Sequence, residues 1–194
     1  HSLFRDNVDR STEVGEIKLF PENHPEEGGA NNWTSWYVAN EAGTTADVIE
    51  FDFMWPRGLH WVESDGSLDQ YQVWIEIQLQ QIDDSGNNVG GIIGVPAFMT
   101  LRTTNTPVRV TKTVVIGDQT GSPPDGRYKV RVRRSGDGEL ITKVAEKTLW
   151  VGLKAFLENV GSYGVTTVAL KARATNSLND QAANRLNVLA TRKL

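Results

Sequence analysis

Cysteine is absent from this chain. Its absence removes disulfides, thiolate metal sites and cysteine nucleophiles, and leaves any core to packing alone. Histidine is scarce: beyond His1, His24 and His60 lie far apart, with no His-Glu-x-x-His spacing. No calcium-loop pattern surrounds Asp83-Asp84, and neither a Gly-x-Ser-x-Gly elbow nor a phosphate-cradling glycine loop occurs. No apolar run approaches the roughly 20 residues that cross a bilayer, so no membrane insertion is expected. A net charge of −4 gives no general attraction to nucleic acid or anionic lipid. Helical periodicity over a dozen residues is also missing, apart from one turn's worth at Ala182–Arg185, and no long internal repeat is visible. These gaps together predict a non-enzymatic protein with no cofactor and no metal.

What the chain does have is alternation. Ile49, Phe51 and Phe53 face one way and Glu50 and Asp52 the other, the period of a half-buried strand. Residues 70–80 form the cleanest case, with Tyr71, Val73, Ile75, Ile77 and Leu79 opposite Gln72, Glu76, Gln78 and Gln80; Trp74 alone breaks the rule. Residues 108–116, 127–134, 147–153, 165–174 and 186–191 read as further strands, and 16–20 as a short one. Asp83-Asp-Ser-Gly-Asn87 has the residues a hairpin turn requires. Short strands separated by turn signals predict an all-β fold: an antiparallel β-sandwich, immunoglobulin/fibronectin type III-like, with peripheral strands and little helix. The Pro- and Gly-rich stretch 21–32 is the best linker. It belongs to a lead-in, residues 1–45, that precedes a sandwich over residues 46–194.

Candidate residues follow from this frame. Asp125-Gly-Arg-Tyr128-Lys-Val130 fits a tyrosine corner, in which Tyr128 bonds back to the upstream backbone and Val130 takes a core position. Its plainer reading is an ordinary strand with an aromatic residue. Arg127, Lys129, Arg131 and Arg133 make a basic row; a solvated face, or pairing with Glu76 or Glu50, accounts for it without nucleic acid, because no aromatic residue interleaves it. Trp33, Trp36, Trp55 and Trp61, among six tryptophans, are candidate interaction residues, for subunit packing or for stacking on sugars. Glu26-Glu27 reads as a solvated pair, and Asn32-Trp-Thr34 as a sequon of the kind chance produces.

Four stretches, in order, resemble the protein J family, the tip attachment (host-specificity) proteins of lambda-like phages, and related prophage tail-tip proteins. They are residues 48–59 (VIEFDFMWPRGL), 126–134 (GRYKVRVRR), 168–179 (VALKARATNSLN) and 184–194 (NRLNVLATRKL). None is a catalytic motif. The resemblance implies a β-rich segment of a tail-tip hub in the virion tail, synthesised in the bacterial host cytoplasm. It implies other tail-tip or baseplate proteins as partners, a homotrimer in the full-length protein, and a host surface receptor. The chain opens without Met and stops in mid-strand, so it is expected to be a piece of a larger protein whose last strand leads to the next layer. A carbohydrate-binding or adhesin-like sandwich is the alternative.

Overall fold

Among the described residues, the strands read from alternation pair into two facing antiparallel sheets. The computed structural model describes residues 9–12, 14–25, 31–117 and 123–157, all within the unit Asn7–Val160. The strands expected at 165–174 and 186–191, and the turn at 182–185, lie outside these. In chain order the strands are β1 Asp9–Thr12, β2 Ile17–Leu19, β3 Tyr37–Val38, β4 Ala46–Trp55, β5 His60–Val62, β6 Leu68–Asp69, β7 Tyr71–Ile82, β8 Asn88–Arg102, β9 Val108–Val115, β10 Arg127–Ser135, β11 Val144–Ala145 and β12 Thr148–Leu157. One sheet has the order β1-β12-β4-β9, with β2 also on β12. The other runs β3-β10-β7-β8, and a small third sheet runs β11-β5-β6. Among the described residues there is no helix.

Period-2 patterning explains the core. Ile49, Phe51, Phe53 and Trp55 of β4 face Val73, Ile75, Ile77 and Leu79 of β7 and Tyr128, Val130 and Val132 of β10, all buried. Each such large side chain contributes about 1.5–3 kcal/mol on leaving water. Trp150 of β12 meets Tyr37 edge-on, with ring centres 5.1 Å apart, and so ties β12 to β3 across the sandwich. A bulge between Trp150 and Gly152 shifts the phase of β12, so Trp150 and Leu153 both point inward.

Two features depart from simple expectation. First, β8 is a 15-residue strand that alternation does not reveal. It forms the sheet edge, is open on much of its length, and carries Gly90, Gly91, Gly94 and Pro96. Second, the immunoglobulin plan sets its first strand beside B and its last beside F. With β4, β7, β9 and β10 as B, C, E and F, the last described strand β12 borders β4, and the early strand β3 borders β10. The lead-in therefore contributes hydrogen-bonded edges to both sheets, through β1 and β2 on one and β3 on the other.

Candidate interaction surface

No group of three or more His, Cys, Asp or Glu residues suited to a metal exists among the described residues. The His24 ring lies 4.5 Å from that of Phe20. His60 is buried, its Nδ1 2.8 Å from the Thr104 carbonyl oxygen. The sequon asparagine is turned inward: Asn32 Nδ2 donates to the carbonyls of Phe20 (2.6 Å) and Arg134 (2.8 Å). Glu26-Glu27 lies outside the described residues.

The corner at the start of β10 is tightly knit. Tyr128 is fully buried and its hydroxyl donates to the Pro124 carbonyl; burial, and then the Asp125 charge, push its phenol up to about 12. Val130, two residues on, is fully buried. Asn40 Oδ1 accepts the Tyr128 N–H at 2.9 Å. Arg127 is half-buried like the rest of the basic row, but its guanidinium is committed to backbone carbonyls. Its Nε donates to Asn40 O (3.0 Å) and its Nη1 to Asp83 O (2.9 Å), clamping the β7–β8 turn. That turn closes on itself, with Asp83 N–H donating to Asn87 O at 2.9 Å and Gly86 at φ +87°.

The rest of the basic row forms a ladder with two tryptophans. Thr34 and Val132 exchange backbone and side-chain hydrogen bonds (2.9 and 3.1 Å), and Ala39 N–H donates to Tyr128 O, so residues 34–39 run along β10. This lays Trp36 beside Lys129 (5.2 Å from Nζ to ring centre) and Arg131 (4.6 Å). Trp33 stands by Arg131 (4.8 Å) and Arg133 (4.9 Å). These are cation–π distances. Aromatic interleaving, which the sequence of the basic row itself lacks, is thus supplied by the segment just before β3, remote in sequence. Arg133 also pairs with Glu76 (2.8 Å) and Glu22 (3.5 Å), and Arg131 Nε donates to Gln78 Oε1 (2.9 Å). Glu50 is no partner of this row. It lies on β4 in the other sheet, opposite Lys154.

Trp55, taken from sequence as an interaction residue, is fully buried and belongs to the core. It is in phase with Ile49, Phe51 and Phe53, and that periodicity was the available signal. Trp61 is partly buried on β5. Trp74, the one break in the alternation of residues 70–80, is 41% exposed on the ladder's own face, with Met99 of β8 as its cross-strand partner. Ile92 and Val89 are likewise exposed on β8. Beneath this face lies a buried ion pair: Arg134 Nη2 sits 2.6 Å from Glu146 Oε2, the two side chains only 3% and 11% exposed. Tyr71 donates its hydroxyl to the same oxygen (2.9 Å), and the Leu140 N–H donates to Oε1 (3.2 Å). Burial alone would raise Glu146, but Arg134 and Tyr71 outweigh it and hold the carboxyl below its usual range. Tyr71 is in turn pushed up to about 12, by burial and then by Glu146.

Comparison with known proteins bears on this geometry. No curated protein matches the chain. A chain from the crystal structure of the T13 IBDV viral particle superposes with a TM-score of 0.44 at 13% identity, covering 79% of this chain and 31% of that one. Residues 31–159 match the FNIII-A domain of tip attachment protein J, a stretch that includes the ladder, the tyrosine corner and strands β3 to β12, but not β1 and β2. By that match the chain belongs to the tip attachment protein J family, as its FNIII-A domain.

Proposed function

We propose that this domain is a structural, non-enzymatic part of a phage tail tip, contributing to tail assembly and host attachment. In this reading the full-length protein is a homotrimer built into the virion tail, with other tail-tip or baseplate proteins as neighbours and a receptor on the host surface. It is made in the bacterial host cytoplasm. Residues 1–45 act as the lead-in and residues 46–194 as the sandwich that leads to the next layer.

The observation that carries the proposal is the outer face of the β3-β10-β7-β8 sheet, where Trp33, Trp36, Trp74, Arg131 and Met99 are all partly open. Aromatic residues, Met and Arg are the types that concentrate at protein–protein contacts, and a sheet face holds them rigidly. Sugar stacking is less favoured, since Trp33 and Trp36 each have two cationic groups against the ring. The test is a phage carrying Trp74→Glu with Met99→Glu in the full-length protein. Loss of trimers in sedimentation, or of complete tails by electron microscopy, is the expected result. Wild-type assembly and adsorption with that face charged would remove the reading, and saturable glycan binding lost in Trp74→Ala would replace it with the adhesin alternative.

A further inference from the structure

From the ladder we infer that Lys129 and Arg131 form a docking site for an acidic, extended peptide segment of a neighbouring tail-tip protein. Both cations are partly buried, and among the described residues neither has an ion-pair partner. The contrast is Arg133, two residues on, which already has Glu76 and Glu22. Two unneutralised cations side by side stand out on a chain of net charge −4. They make a local site for an anion that the overall charge conceals.

Arg131 is also held in position before any partner arrives. Its guanidinium lies against Trp33 and Trp36, and its Nε is spent on Gln78. The two Nη groups have no hydrogen-bond partner among the described residues. They present the fork that accepts a carboxylate in bidentate fashion. Because the side chain is already ordered, little of its rotamer entropy is lost on binding. Burial, and then the neighbouring Arg133 charge, depress the Arg131 pKa, so a nearby carboxylate would relieve the ionised form.

The shape of the ligand follows from strand geometry. Lys129 and Arg131 project from alternate residues of β10, roughly 6.6–6.8 Å apart at the usual strand rise. Alternate side chains of an extended peptide recur at the same interval, so acidic residues at positions i and i+2 reach both cations together. Bases and sugars bind aromatic platforms through open ring faces, and here the rings already carry cations. The tail-tip reading supplies the kind of partner. The binding chemistry itself rests on the 194-residue chain alone.

The experiment is fluorescence anisotropy of a labelled peptide alternating Glu and Thr, titrated with the 194-residue chain at low ionic strength. Saturable binding is expected, weakening as salt rises, with none to the Gln–Thr counterpart. Lys129→Gln should weaken it about three- to tenfold without moving the melting temperature, and Arg131→Lys, which keeps the charge but loses the fork, by a similar factor. Absence of binding to the Glu peptide, or unchanged affinity in both variants, overturns the inference. Binding of a sulfated oligosaccharide in place of the peptide also overturns it and gives the face to an acidic polysaccharide. Any of those results alongside normal trimers of the full-length protein leaves the tail-tip reading intact, since Trp74 and Met99 test that separately.

Discussion

Replacing Glu146 by Gln removes one negative charge and almost no volume, so the cost isolates electrostatics in the buried pair. Arg134, at 3% exposure, would keep its charge with no carboxylate within 2.6 Å. The amide also cannot satisfy its surroundings. Oε2 accepts from Arg134 and Tyr71, and Oε1 accepts from the Leu140 N–H, so either amide orientation turns an N–H toward a donor. Breaking one side of a buried pair costs about 3–5 kcal/mol. In a chain of this size that lowers the melting temperature by roughly 2–4 °C per kcal/mol. The sign with pH is fixed by the depressed carboxyl. Its contribution is complete above the unfolded carboxyl range, near 4.5, and fades as pH falls through the lower folded value, because the unfolded state then binds the proton first. Urea unfolding followed by tryptophan fluorescence, at pH 7 and at about pH 3, measures both points. A difference between wild type and Glu146→Gln below about 1 kcal/mol at neutral pH would refute the reasoning, as would a gap that stays constant on acidification.

The other predictions are more local. Tyr128→Phe removes the hydroxyl bonded to Pro124 and should cost about 1 kcal/mol; an unchanged urea midpoint would dispose of the corner's energetic role. Tyr71 and Tyr128 have phenols pushed up to about 12, so the stability they contribute is intact below pH 10 and lost between about 10 and 12. Ultraviolet titration should therefore show Tyr71 and Tyr128 ionising late. Gly58→Ala meets both a backbone at φ +76° and the Thr104 carbonyl oxygen 2.0 Å from the added Cβ. It should lose at least about 2 kcal/mol, and a wild-type melting temperature would contradict that geometry. Ile92→Lys, at a side chain 51% exposed on the edge strand, should leave stability within about 0.5 kcal/mol while raising the concentration at which the domain aggregates on heating. Equal aggregation by light scattering would show that the edge is not the route.

Legibility from sequence tracked how a strand meets solvent. β4, β7 and β10 each have one dry face and one wet face, so their side chains alternate and their limits could be read to within a few residues. β8 is open on much of both faces and lies at the sheet edge, which removes the constraint that writes alternation into sequence. β12 was blurred by its bulge, where one extra residue reverses the phase between Trp150 and Leu153. Trp55 could have been assigned to the core by phase alone. Trp74 could have been singled out as the large aromatic on the polar face of β7, although nothing local tells that Met99 lies beside it.

By itself the sequence determined the all-β class, the central strands β4, β7 and β10 and the turn chemistry at Asp83–Asn87, because these depend on local backbone preference and two-residue periodicity; the resemblance to tail-tip proteins rests instead on four stretches in a shared order. Tertiary structure alone decided what the basic row is. Residues 33–38 lie nearly a hundred positions from β10, and only their antiparallel docking sets Trp33 and Trp36 between the cations. It also decided that Arg133 is neutralised, that Arg127 is consumed by the turn, and that Lys129 and Arg131 are left over. Charge in a sequence is a count, whereas which charges remain unpaired depends on which strands become neighbours, and long-range pairing settles that.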